Sequence, residues 1–330
     1  MQLKGKALFN LLRISWLENR KSEVKAWQVE NLRDITIEEL FSRLKKLGLI
    51  LDKESFYLYA ENCESPEELT DYIWIEEEEL EGRDQAYLLI FELWRRLFPD
   101  KLCLSVFCDE LDELIESYDR GELENELPLQ NALLVLEDIL DDAYDKEGNA
   151  QKVFAEVASY CAHDLERFFF DYISDQILEK DETYASELID AFYDYSSDRR
   201  RFDLLRARLL ILFGLEESNR IYGRILEELR EEPDLELTLL VAESLIHHGD
   251  VRLFMQAIKQ ALPLLKTEEE FQNLLTMIGE YYRCLDRDEE EKVIEGLLEA
   301  RSTFPLEASV DVSDKALDRV SRLIAVHIPE

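Results

Sequence analysis

The chain has 330 residues, 38 Lys and Arg against 75 Asp and Glu, a net charge of −37, and 46% hydrophobic residues. That hydrophobic share excludes a wholly disordered chain, and so negative a field repels nucleic acid and anionic membrane while drawing in basic partners. Only 10 Gly and 7 Pro interrupt a sequence rich in good helix formers, so the expected fold class is all-α, long helices joined by short turns.

The charge is unevenly spread. Residues 1–58 hold 11 basic and 8 acidic side chains, 59–198 hold 9 and 40, and 199–330 hold 18 and 27. Three regions are expected: a near-neutral helical segment over 1–60, a strongly acidic helical region over 61–198, and helix-pair repeats over 199–330. Five cysteines (Cys63, Cys103, Cys108, Cys161, Cys284) form no CxxC pair, which speaks against a disulfide scaffold or a zinc site and fits a reducing compartment. The N-terminal apolar run is broken by Asn10 and Arg13, so it reads as neither secretory signal nor membrane span, and cytoplasm is the expected location.

In chain order, the first element is a cationic amphipathic helix. Lys4, Lys6, Arg13, Arg20, Lys21 and Lys25 accompany Leu3, Leu8, Leu11, Leu12 and Trp16, and this helix is expected to cap the repeats or to dock on the acidic middle. Capping boxes at Thr36/Glu39, Ser65/Glu68 and Thr267/Glu270 mark helix starts, Pro66 suits a first helical position, and Gly48 suits a C-cap. In 104–118, Val106, Phe107, Leu111, Leu114 and Ile115 oppose Asp109, Asp112, Glu113 and Glu116. In 129–145, Leu129, Leu133, Leu136, Leu140 and Ala143 oppose Asp138, Asp141, Asp142 and Asp145. The aromatics Phe168, Phe169, Phe170, Tyr172, Phe192, Tyr193 and Tyr195 are expected to be mainly core residues between packed helices.

From 202 onward the sequence is periodic. Turn signals at Gly214, Gly249 and Leu285–Asp286 separate helical runs at 202–213, 216–231, 237–247, 251–265, 269–283 and 288–302. Paired helices repeating every 34–36 residues predict an α-solenoid, because one hairpin cannot bury its apolar face alone. Val241, Ala242 and Leu245 with Ile258 and Ala261, then Gly279, Tyr282, Val293, Leu297, Ala300 and Pro305, and before them Ile221, Ile225 and Pro233, carry a resemblance to a degenerate tetratricopeptide repeat array over 202–305. The resemblance implies consecutive antiparallel helix pairs. Phe254 departs from it, standing where that family usually has a small residue.

Asp141, Asp142 and Asp145 form a DDxxD, and Asn219, Gly223 and Glu227 an NxxxGxxxE. Together they resemble the magnesium-binding motifs of class I terpene synthases, which would imply Mg²⁺-assisted departure of pyrophosphate. That chemistry needs the carboxylates inside a helical bundle, whereas the apolar stripe of 129–145 turns them outward, and Arg220 stands where the family usually has an acid. His247 and His248 diverge by about 100° on a helix and do not share a metal.

The expectation is therefore a non-enzymatic adaptor or chaperone-like protein, without cofactor or metal, that binds a basic protein or peptide and not nucleic acid directly. Steering is assigned to Glu76, Glu77, Glu78 and Glu79, to Asp109, Asp112, Glu113 and Glu116, and to Asp138, Asp141, Asp142 and Asp145. Trp74, Tyr193 and Tyr195 are the candidate apolar anchors. The alternative is a nucleic-acid mimic, whose helical rows of carboxylates imitate phosphates.

Overall fold

The computed structural model describes residues 2–74, 80–101, 103–311 and 314–325. Among them are eighteen α-helices, two short 3-10 turns and no strand, and the chain divides into two compact units, Met1–Phe169 and Phe170–Glu330.

The first unit holds α1 (Ala7–Glu18), α2 (Ala26–Val29), α3 (Ile37–Lys46), α4 (Lys53–Ala60), α5 (Pro66–Ile73), α6 (Leu80–Leu97), α7 (Leu104–Asp119), α8 (Leu127–Glu147), α9 (Ala150–Ala158) and the start of α10 (Leu165–Leu178). The starts follow local chemistry. Thr36 Oγ1 accepts the Glu39 N–H, Ser65 Oγ accepts the Glu68 N–H, and Pro66 takes the first helical position. Gly148 ends α8 in the left-handed conformation at φ 68°.

Helix α6 is the axis of this unit's core because its stretch 86–94 is apolar on every side but for Glu92, which obliges burial. Ile90, Phe91, Leu93 and Trp94 have no solvent exposure, and Leu40, Leu44, Phe56, Ala60 and Leu69 pack around them. Each such Leu or Phe contributes about 1.5–3 kcal/mol of transfer free energy. Glu92 is the exception on that helix, fully buried and held by Arg95 and Arg96. Burial opposes its charge, yet the two guanidinium groups keep its carboxyl below the ordinary glutamate value. Arg96 also donates to the carbonyl oxygens of Leu32 and Arg33, both at 2.9 Å, and of Ile35 at 2.6 Å. The 3-10 turn Leu32–Asp34 is thereby tied to the core.

The second unit holds the rest of α10, then α11 (Glu182–Phe192), α12 (Arg199–Leu210), α13 (Leu215–Glu231), α14 (Leu235–Leu245), α15 (Val251–Ala261), α16 (Glu268–Cys284), α17 (Asp288–Arg301) and α18 (Lys315–Ala325). The dominant packings are α12 with α13, α14 with α15, and α16 with α17, each across a short turn. Polar contacts recur at a nearly constant sequence interval. Arg208 donates to Ser174 Oγ at 3.2 Å across 34 residues and to Ser244 Oγ at 2.7 Å across 36. Arg201 reaches Glu236 at 3.0 Å across 35. Phe254, large where the resemblance expects a small residue, is fully buried and stacks on Tyr281 with ring centroids 3.8 Å apart.

Candidate functional site

Helices α7 and α8 share one sequence pattern, an apolar stripe opposite an acidic one. Their acidic stripes meet different fates.

The acidic stripe of α7 is not an open docking face. Asp109 and Asp112 are each 3% exposed, and Glu116 is also buried. The reason is the cationic N-terminal helix, which docks on this stripe. Lys6 Nζ lies 2.8 Å from Asp109, Asn10 Nδ2 donates to it at 2.9 Å, and Arg13 Nη2 lies 2.7 Å from Glu116 and 3.5 Å from Glu113. Arg33, presented by the turn that Arg96 fixes, adds contacts of 2.7 Å to Asp109 and 3.0 Å to Glu110. Burial opposes the charge on Asp109, and Lys6 and Arg33 overcome it, keeping the carboxyl below its ordinary value. A cavity of about 30 Å³ beside Lys6, Asn10 and Arg33 admits water and little more.

Asp112 serves the chain itself. It accepts the backbone N–H groups of Ala162 at 2.8 Å and His163 at 3.1 Å, and lies 2.9 Å from His163 Nδ1. Burial works against a charged imidazole there, but Asp112, with Asp119 and Glu116 behind it, raises the His163 pKa above its ordinary value. The expected steering role of Asp109, Asp112 and Glu116 is thus corrected: their lone pairs are spent on α1, on Arg33 and on the segment after α9. Glu113 keeps about 40% of its side-chain surface but faces Arg13 and Arg33.

The acidic stripe of α8 is open. Leu129, Leu133, Leu136 and Leu140 are buried, while Asp138, Asp141, Asp142 and Asp145 are exposed. Asp138, Asp142 and Asp145 make no ion pair among the described residues. On the flank of the same helix, Val135, Ile139 and Ala143 face Phe107, Val153 and Val157 across an apolar groove of about 310 Å³. The carboxylates that line this groove are Glu147 and Glu156, while Asp138 and Asp142 stand on the exposed face of the same helix. Leu134 and Tyr144 add exposed apolar surface.

The expected anchors are placed otherwise. Tyr195 is 5% exposed, so it is a core residue of the second unit and cannot anchor a partner. Tyr193 is half-buried between Arg199 and Arg206, 5.3 and 5.0 Å from its ring, with its hydroxyl 3.4 Å from Asp203. Trp74 is half-buried against the first unit's core. Glu76, Glu77, Glu78 and Glu79 lie outside the described residues. The DDxxD carboxylates are exposed in the first unit, whereas Asn219 and Glu227 belong to the second, where Arg220 pairs with Glu216 and Glu217. No three His, Cys, Asp or Glu side chains converge to hold a metal among the described residues, nor is any helix there long and apolar enough to cross a membrane.

One cluster has no counterpart in the sequence reading. The Cys284 thiol lies 3.4 Å from His247 Nδ1, across 37 residues, and His247 Nε2 lies 3.5 Å from Glu280 Oε1. The feature of the sequence that matches this separation is the 34–36-residue spacing of the turn signals. No protein-family model, curated protein or solved structure matches the chain.

Proposed function

We propose that this chain is a non-enzymatic binding protein, adaptor or chaperone-like, that receives a basic amphipathic segment of another protein on the open side of α8. The carrying observation is the presence on one helix of an apolar groove and of exposed Asp138, Asp142 and Asp145, which make no ion pair among the described residues. Carboxylates steer and register a cationic segment, while Val135, Ile139 and Phe107 supply the desolvated contact that gives affinity. Lys6, Asn10 and Arg13 of α1 on the α7 stripe are an internal instance of the same chemistry, a basic helix seated on carboxylates.

The second unit is read as an α-solenoid of tetratricopeptide type. Its support is the ladder of contacts at 34–37 residues linking successive helix pairs. A reducing location such as the cytoplasm fits the free thiols.

The test is binding of a synthetic Lys- and Leu-rich amphipathic helix to the full-length protein, followed by fluorescence anisotropy. The Asp138→Lys/Asp142→Lys/Asp145→Lys variant should bind at least about tenfold more weakly, with a shallower salt dependence. Ile139→Asn should weaken binding at unchanged salt dependence. Equal affinity for all three proteins overturns the reading.

The spacing of Asp138, Asp142 and Asp145 at i, i+4 and i+7 also supports the nucleic-acid-mimic version, in which the basic partner ordinarily binds phosphates. Competition between duplex DNA and this chain for a basic DNA-binding protein, lost in the triple variant, tests that version.

A further inference from the structure

Cys284 is the exposed cysteine among five free thiols; Cys63, Cys108 and Cys161 are buried and Cys103 is half-buried. It is the last residue of α16, and His247 follows the end of α14. The imidazole stands between two polar groups, with Nδ1 3.4 Å from the thiol and Nε2 3.5 Å from Glu280. A thiol with an imidazole beside it and a carboxylate behind the imidazole is the arrangement in which a histidine can take the thiol proton.

We propose that Cys284 is an activated surface thiol, and that its substrates are low-molecular-weight disulfides with which it forms mixed disulfides. The local backbone decides the substrate class. Acyl transfer needs free N–H groups aimed at an oxyanion. Here the N–H groups of Leu285, Asp286 and Arg287 are already donated to the carbonyls of Tyr281, Tyr282 and Arg283 at the helix end. Thiol–disulfide exchange needs only a thiol with a base beside it and an open line of approach, and Cys284, exposed and 3.4 Å from His247 Nδ1, has both.

In the step itself, the Cys284 Sγ–H proton passes to His247 Nδ1 and the thiolate attacks one sulfur of the disulfide. The new Sγ–S bond forms as the old S–S bond breaks, and the departing thiolate takes the proton from the imidazolium. Cys284 is oxidised, and the departing half of the disulfide is reduced to a thiol. The protein's field of −37 favours a cationic disulfide, so cystamine is the suitable probe.

The folded full-length protein is mixed with cystamine and followed by mass spectrometry and peptide mapping, with the ultraviolet absorbance of the thiolate recorded in parallel. One adduct should form first, at Cys284, and be lost in Cys284→Ser. His247→Ala should slow it roughly tenfold or more and remove the thiolate absorbance, with Glu280→Gln falling between. First modification at another cysteine, or a wild-type rate in His247→Ala, overturns the proposal. So does a Cys284 that reacts no faster than the same cysteine in a short unstructured peptide.

Discussion

At Asp109 a carboxylate has been taken out of water and compensated three times over, by Lys6, Asn10 and Arg33. Removing it strands Lys6, while Arg33 keeps Glu110 at 3.0 Å, and a broken buried pair costs about 3–5 kcal/mol. Asp109→Ala should lower the first unit's stability by that order in urea unfolding, whereas Asp138→Ala on the open face should change it by less than about 0.5 kcal/mol. His163 makes a pH-dependent contribution. Its pKa is raised in the folded state above the ordinary value of about 6.5, so its stabilisation is complete below that value and is lost as pH rises through the raised pKa. The wild-type unfolding midpoint should therefore carry a component that declines as pH rises above about 6.5, absent in His163→Gln. That Asp109 is acidic could be read from the sequence. That it is buried could not, because its partners lie 76–103 residues away.

At the level of elements, what is local was legible and what is tertiary was not. The Thr267/Glu270 capping box closes within one turn and is present with both hydrogen bonds. Runs expected at 216–231 and 269–283 correspond to α13 at Leu215–Glu231 and α16 at Glu268–Cys284. Helices α7 and α8 carry the same alternation of apolar and acidic faces, yet the packing of α1, Arg33 and the segment after α9 distinguishes a covered stripe from an open one. Turn glycines show the same limit. Gly214 and Gly249 mark equivalent turns, but a Cβ at 214 would meet nothing within 4 Å, whereas one at 249 would stand 2.8 Å from the Leu245 Cα. Gly249→Ala should destabilise the second unit by roughly 1–3 kcal/mol in thermal unfolding, and Gly214→Ala should be near neutral.

For the whole molecule the dominant quantity is the net charge of −37, which opposes the compact state by self-repulsion. Added salt screens exposed carboxylates such as those of α8 far more than the buried pairs of α7. The unfolding temperature should thus rise between low and physiological ionic strength, by about 2–4 °C for each kcal/mol of repulsion removed, in a calorimetric salt series. The two units differ in the separation of their contacts along the chain: α1 meets α7 across 99–103 residues, whereas the helix pairs of the second unit meet across 34–37. Distance along the chain becomes time during synthesis. At about 5–20 residues per second, α1 emerges roughly 5–20 s before the carboxylates that will cover it. For that interval a cationic amphipathic helix stands unpaired, whereas each later hairpin meets its neighbour within a few seconds of being made.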